Sequence, residues 1–255
     1  MRIAILDDEP TELALLQDAL DTYTLHDGTL PICTAFSSSP ELLRRLKRDT
    51  FDLIILDWQM PEISGLQMLL WIKEHLQPAP PVVMLTSRTA ERDVVQALNA
   101  GADEYVSKPF RQAELRARLT NVLRHCQGQK SQDEDVLIFG TIRFDIQESR
   151  VSVDAVPVSL TLREFNLALL LFKNQGRPLS RSYLYEHLWA RDEMLSSRTL
   201  DTHIYRIRNK LNLTSEFGWV LSTVYGYGYR LEALGVQEII GSSGGALLNC
   251  RLLEP

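Results

Sequence analysis

Between Met1 and about Cys126 the chain sets five short apolar runs, RIAIL, LPICTAF, FDLIIL, PVVML and EYVS, each followed by an amphipathic segment: PTELALLQDAL, SPELLRRLKRD, GLQMLLWIKEHL, ERDVVQALNAG and RQAELRARLTNVL. Apolar runs of this length separated by helical periodicity indicate a parallel sheet covered on both faces. Repeated five times, strand then helix predicts an α/β doubly wound five-stranded parallel sheet. Nothing in the 255 residues approaches a run of apolar residues long enough to span a membrane. The opening MRIAILDDEP ends its apolar run in three acids, unlike a signal peptide, so a cytoplasmic protein with no membrane association is expected.

The pattern then changes. RHCQGQKSQDEDV, Arg124 to Val136, is polar and aperiodic and reads as a linker over residues 126–135. Short alternating pieces follow (VLIFG, IRFDI, RVSVD, VPVSL), then helical periodicity in TLREFNLALLLFKNQ, SRSYLYEHLWA and SSRTLDTHIYRIRNKL. The glycine-rich aromatic WVLSTVYGYGYRLE reads as a hairpin. This divides the chain into a first domain over 1–125, the linker, a second domain over 136–231, and a tail, 232–255, for which the residues suggest no role. The net charge of −6 is unevenly spread. Residues 1–127 carry 13 Lys and Arg against 18 Asp and Glu, whereas residues 160–231 carry 10 against 6, so the halves suit different partners. The three cysteines are odd in number and lack metal-ligand spacing, as expected of reduced thiols.

In an open parallel sheet, ligands sit beyond the carboxyl ends of the strands. There the first run delivers Asp7 and Asp8, the third Asp57, the fourth Thr86 and Ser87, and the fifth Ser107, Lys108 and Pro109. Converging carboxylates repel unless a cation lies between them, and oxygen ligands favour a hard ion such as Mg²⁺. A lysine and a hydroxyl facing that ion suit a transferred phosphoryl group, so Asp57 can serve as ligand and as nucleophile. One aspartate alone at such a position is more often a helix cap. Compatible groups at four of five strand ends favour the joint reading. The glycines of dinucleotide and P-loop sites are missing after the first run, and Gln59 stands where a dehalogenase-type phosphatase needs its second aspartate.

ILDDEP, DLIILDWQMPEISG, MLTS and GADEYVSKPF together resemble the receiver domain of two-component response regulators, a flavodoxin-like fold. The resemblance implies that Asp57 is the phosphoacceptor, and that Asp8, Asp57 and the backbone carbonyl of Gln59 bind Mg²⁺ with Asp7 acting through water. It further implies that Thr86 bonds the phosphoryl group, that Lys108 neutralises it, and that Tyr105 turns inward as Thr86 moves. The bond before Pro109 is cis in that family. A sensor histidine kinase is the implied donor, and the protein is no enzyme beyond assisting its own phosphorylation and dephosphorylation. Phosphorylation implies a homodimer, with Glu104 and Arg118 matching one salt-bridging pair of its face; Val94 and Asn99 stand where relatives carry charge.

On a helical wheel, Leu200, Ile204, Ile207 and Leu211 of the last helical segment fall on one side, with Arg198, Thr202, Tyr205 and Asn209 opposite and His203, Arg206, Arg208 and Lys210 beside them. One face fits a core and the other a DNA major groove. With SLTLREFNLALLL, SRSYLYEHLW (capped by Ser180) and VYGYGYRL, the segment resembles the winged helix-turn-helix of OmpR/PhoB transcription factors, an α+β fold, over 136–231. The resemblance implies promoter DNA as partner. It places contacts at Arg198, Thr202, His203, Tyr205, Arg206, Arg208 and Lys210, and on the wing at Thr223 and Tyr225, although relatives often carry arginine where Tyr225 stands and a basic residue where Tyr205 stands. It also implies that ARDEMLSS, Ala190 to Ser197, meets RNA polymerase. A regulator that binds DNA without phosphorylation and a Mg²⁺-dependent phosphoryl-handling enzyme are the alternatives. Arg206→Ala is expected to weaken sequence-specific binding by about 1–3 kcal/mol if Arg206 reads a base edge; an unchanged DNA footprint would remove it from the contact set.

Overall fold

The computed structural model describes residues 1–25, 28–88, 90–126, 135–189 and 197–234. In the first part, β1 (Arg2–Leu6), β2 (Ile32–Phe36), β3 (Leu53–Asp57), β4 (Val82–Thr86) and β5 (Glu104–Ser107) alternate with α1 (Pro10–Asp21), α2 (Ser39–Leu46), α3 (Gly65–His75), α4 (Glu91–Asn99) and α5 (Gln112–Cys126). The strands form one sheet in the order β2-β1-β3-β4-β5, and every pairing is parallel. Alternation along each strand explains why the runs are apolar throughout. Ala4, Leu6, Ile54, Leu56, Val82 and Met84 pack beneath α2 and α3, through Leu42, Leu46, Met68, Leu69 and Ile72. Their neighbours Ile3, Ile5, Leu53, Ile55, Val83 and Leu85 meet α1 and α5 on the other face, through Leu16, Leu20, Leu115 and Leu119. The inner strands β1, β3 and β4 therefore have no wet face, edge strand β2 stays partly exposed, and the strand ends are left for polar work. The order reverses between β1 and β3, which puts the ends of those two strands side by side at the crevice where such sheets bind ligands.

The second part begins with an antiparallel four-stranded meander, β6 (Val136–Phe139), β7 (Ile142–Asp145), β8 (Arg150–Val153) and β9 (Val156–Val158). Helices α6 (Leu162–Lys173), α7 (Arg181–Trp189) and α8 (Ser197–Lys210) follow, with the two-residue β10 (Leu179–Ser180) between the first two. The hairpin of β11 (Trp219–Val224) and β12 (Gly228–Ala233) completes a three-stranded sheet in the order β10-β12-β11. Phe139, Phe144, Phe165, Phe172 and Trp219 bind meander, α6 and hairpin into one core, with the Phe172 ring centroid 5.2 Å from Phe144 and 4.9 Å from Trp219. Leu200, Ile204, Ile207 and Leu211 are buried against it, as the 3.6-residue period requires. None of the described helices is long and apolar enough to cross a membrane.

Two expected boundaries shift slightly. Helix α5 includes Cys126, the first residue of the expected linker, and β12 takes in Glu232 and Ala233 of the expected tail because they pair with Val220 and Trp219. Most of the linker, the segment 190–196 and the tail from residue 235 lie outside the described residues.

Gly65 shows how tightly the site is built into the fold. A Cβ there would lie 1.9 Å from the backbone oxygen of Asp57, so only glycine lets α3 start against the loop that follows β3. Overpacking of this kind, against backbone that cannot swing aside, sets the expectation that Gly65→Ala costs about 3 kcal/mol, measurable as a lowered midpoint in urea unfolding; a midpoint equal to wild type would show that the loop yields freely.

Candidate functional site

Strand ends at the crevice bring together Asp7, Asp8 and Asp57, each with one carboxylate oxygen within 4.8 Å of those of the other two. Asp7 and Asp57 are buried, while Asp8 is exposed. The Lys108 ammonium, delivered from the end of β5, lies 2.6 Å from Asp7 Oδ2 and 3.2 Å from Asp57 Oδ2. The bond from Lys108 to Pro109 is cis, as the resemblance implied; a second cis bond, Gln77–Pro78, had no such signal. Neither Asp7 nor Asp8 caps α1, whose N-cap is Glu9. Asp7 Oδ1 instead accepts from the Glu9 amide at 3.0 Å. The capping alternative for this pair is thereby removed.

Three carboxylates and one ammonium leave the cluster short of positive charge. Burial, reinforced by Asp7, raises the Asp57 carboxyl above its ordinary range although Lys108 pulls the other way. For Lys108 the order of effects reverses: burial opposes the charge, but the hydrogen bond to Asp7 and the field of Asp57 outweigh it, and the amine is raised. The all-oxygen donor set and its spacing fit a hard divalent cation, which would relieve the deficit. A cavity of about 370 Å³, lined by Asp8, Glu9, Glu12, Asp57, Gln59, Ser87, Lys108 and Pro109, gives access to Asp57.

Of the two hydroxyls ending β4, Ser87 lines this cavity, donating to Gln59 Oε1 at 2.9 Å. Thr86 is wholly buried, its Oγ1 accepting from the Arg88 amide at 3.2 Å. The Tyr105 hydroxyl, on a ring already packed inward, donates to the Arg88 carbonyl. Thr86 and Tyr105 are thus tied to the same residue's backbone. On the α4, β5, α5 side, Arg118 lies 3.2 Å from Glu104 and 2.9 Å from Glu114.

The second cluster of candidates lies on α8. Thr202, Tyr205, Arg206 and Asn209 are exposed opposite the buried stripe. Tyr225, at the turn between β11 and β12, is fully exposed, and Thr223 is exposed beside it. The side chain of Arg198 lies outside the described residues. Other basic residues are engaged within the domain, which the sequence did not reveal. Arg208 donates twice to the Leu221 carbonyl of β11, at 3.1 and 2.7 Å, clamping the hairpin to the helix. Lys210 donates at 2.8 Å to Glu164, a buried carboxylate that also accepts from the Thr161 amide at 2.9 Å in the capping box of α6. Arg206 reaches the same carboxylate only at 3.9 Å. His203 is half buried near Trp189, and burial lowers its imidazole, which favours the neutral ring at physiological pH.

Comparison with known proteins follows the same division. A family described as the response regulator receiver domain matches residues 3–120, and one described as the C-terminal part of transcriptional regulatory proteins matches 155–231. The sensory transduction protein RegX3 of Mycolicibacterium smegmatis is 36% identical over 201 residues, 78% of this chain and 87% of that protein. The transcriptional regulatory protein SrrA of Staphylococcus aureus is 31% identical over 244 residues, 92% of this chain and 97% of its own. Among solved structures, the Thermotoga maritima response regulator DrrB, an OmpR/PhoB homolog, aligns over 91% of this chain and 99% of its own at 27% identity, with a TM-score of 0.43.

The buried Glu164 carries a pH signature. Burial opposes its charge, but Lys210 and the Thr161 amide prevail and hold its carboxyl below the ordinary range. The stability it contributes is therefore complete above its unfolded value of about 4.3 and lost as the pH falls through its lower folded value. Glu164→Gln is expected to lower stability near neutrality by about 1.5–3 kcal/mol and to flatten the acid limb of stability against pH; an acid limb parallel to wild type would refute the pairing.

Proposed function

We propose a phosphorylation-switched mode of action for this chain, which belongs to the two-component response regulators of the OmpR/PhoB type, a family of DNA-binding transcription regulators rather than enzymes. In this reading residues 1–125 receive the signal, 126–135 connect, and 136–231 bind promoter DNA. Asp57 is the phosphoacceptor. A carboxylate oxygen of Asp57 forms a bond to phosphorus as the bond to the donor imidazole of a sensor histidine kinase breaks, leaving an acyl phosphate on the protein. Support comes from the position of Asp57 at the floor of a cavity, beside one fixed ammonium.

Receiver domains typically hold Mg²⁺ through such acidic residues, and here Asp8, Asp57 and the Gln59 carbonyl are its proposed ligands, with Asp7 acting through water. When bound, the ion supplies positive charge to the pocket and to phosphoryl oxygens. The chain's own residues do the rest. Lys108, already bonded to Asp7 and Asp57, neutralises the added charge. Thr86 turns its hydroxyl from the Arg88 amide to the phosphoryl group, which releases one of the two bonds to Arg88. Tyr105, already packed inward and held by the other, keeps Arg88 against β5 as Thr86 moves.

The downstream steps rest on the same family logic. Phosphorylation favours a homodimer through α4, β5 and α5, where Arg118 bridges Glu104 and Glu114. The pair then binds tandem half-sites in the cytoplasm. Contacts come from Arg198, Thr202, His203, Tyr205 and Arg206 on α8, and from Thr223 and Tyr225 on the wing; Arg208 and Lys210 add positive field while holding the fold together. RNA polymerase would meet the segment Ala190 to Ser197, most of which lies outside the described residues.

The single observation that carries this reading is the Asp7, Asp8, Asp57 and Lys108 cluster at the switch point of the sheet. Incubation with Mg²⁺ and a small acyl-phosphate donor is expected to add one labile phosphoryl mass to the wild type and none to Asp57→Asn, with a dimer by sedimentation only in the former. An adduct that persists in Asp57→Asn would move the phosphoacceptor elsewhere, and an adduct without a dimer would separate phosphorylation from assembly.

A further inference from the structure

At the opposite end of β3 from Asp57, the loop after α2 lies against the second domain. Arg2, buried at the start of β1, donates to both oxygens of Asp49 at 2.5 and 2.9 Å. The carboxylate so fixed also accepts from the hydroxyls of Ser180 at 2.5 Å and Ser182 at 2.8 Å. Next to it, Thr50 Oγ1 accepts from the Ser180 amide at 2.8 Å and lies 2.9 Å from the Tyr227 hydroxyl, which donates to the Asp49 carbonyl at 2.8 Å. Asp52 accepts from the Arg177 guanidinium at 2.9 Å, and Arg177 also donates to the Phe51 carbonyl.

What Asp49 occupies matters. Ser180 is the cap of α7, its Oγ accepting from the Tyr183 amide at 3.1 Å, so the carboxylate is seated at the amino-terminal end of the helix that precedes α8. In a helix-turn-helix this first helix crosses the nucleic-acid backbone, and a helix amino-terminus with hydroxyls beside it is suited to phosphate oxygens. The anion there now is a carboxylate from the other domain. Burial opposes its charge, yet the bonds from Arg2, Ser180 and Ser182 hold the Asp49 carboxyl at about 2, so it remains an anion across the physiological range, as a phosphodiester does. Arg177, a further cation of the DNA-binding domain, and Tyr227, at the base of the wing, are covered by the same loop.

We propose that residues 49–52 are an internal mimic of the DNA backbone: with Asp49 on the α7 amino-terminus and Asp52 on Arg177, the first domain holds the sites that phosphates of bound DNA require, so the closed chain must release this clasp to bind. The inference rests on reading α7 and α8 as the DNA-binding face and adds the occupant that competes for it. Binding to DNA is weakened by the fraction of chains that are closed.

The test uses the full chain. Thr50→Phe places a bulky apolar ring where the Tyr227 hydroxyl and the Ser180 amide converge and removes the oxygen that both now meet. Because the net charge is unchanged, tighter binding can come only from release of the clasp. Asp52→Asn is the milder second variant, removing the charge opposite Arg177. Both lie away from the phosphorylation pocket, and both should still gain the phosphoryl mass, which verifies that the first domain is folded. Anisotropy of a labelled random-sequence duplex at low salt, with small-angle scattering in parallel, is expected to show a larger radius of gyration and about tenfold tighter binding than the unphosphorylated wild type. Affinities equal to wild type in both variants overturn the proposal, as does a wild-type radius already matching separated domains. Failure of every chain, wild type included, to bind the duplex would instead overturn the reading of α7 and α8 on which the proposal rests.

Discussion

Strand β3 has to be apolar along its whole length while charge is held at both of its ends. Leu53 to Leu56 are buried on both faces of the sheet, with Asp49 and Asp52 before them and Asp57 after. Carboxylates at the border of a core require partners. At the leading end the requirement is met by Arg2, Arg45 and Arg177, with hydroxyls completing the shell of Asp49. At the trailing end one lysine serves Asp7 and Asp57 together, with Asp8 beside them. The first end is electrostatically complete and the second is not. The trailing end is thus left short of positive charge, while the leading end is tied across the two domains.

The two ends are about 17 Å apart for five extended residues, too far for the charge of a phosphoryl group to act directly on Asp49 through screened space. Any influence must pass through packed elements with two arrangements. The proposed switch through Thr86, Arg88 and Tyr105 lies at the β4 and β5 side of the sheet, whereas the clasp is held by β1 and the loop before β3. In the proposed scheme the two devices are therefore separable. Dimerisation would increase the gain from binding DNA, and opening the clasp would subtract a fixed cost from it, so the balance sets a threshold.

The sheet was legible because both of its signals are local: runs apolar throughout, and polar residues where they stop. The same holds for α8, whose buried stripe of Leu200, Ile204, Ile207 and Leu211 follows from period alone. The acidic cluster could be anticipated because strand order in a doubly wound sheet converts four strand ends into neighbours. What stayed hidden was long-range polar pairing. Glu164 and Lys210, or Asp49 and Ser180, are ordinary surface types in sequence and have no periodicity linking one to the other. Arg208 reads as a free cation on a wheel, yet its guanidinium is spent on the Leu221 carbonyl, a backbone acceptor that no side-chain pattern reports. Pattern alone does not separate Thr86 from Ser87 as strand-end hydroxyls, and only the resemblance singled out Thr86; the backbone turns Thr86 inward and Ser87 to the cavity.

Trp58 follows Asp57 directly, is nearly buried, and has the Arg88 guanidinium 5.6 Å from its ring centroid. Arg88 is the residue whose backbone holds both Thr86 and Tyr105. A cation close to an indole face changes the ring's electronic surroundings whenever it moves. The residues that would rearrange around a phosphoryl group thus sit against a fluorophore, one of four tryptophans in the chain, so a variant that keeps Trp58 alone would carry an unlabelled optical reporter beside Asp57.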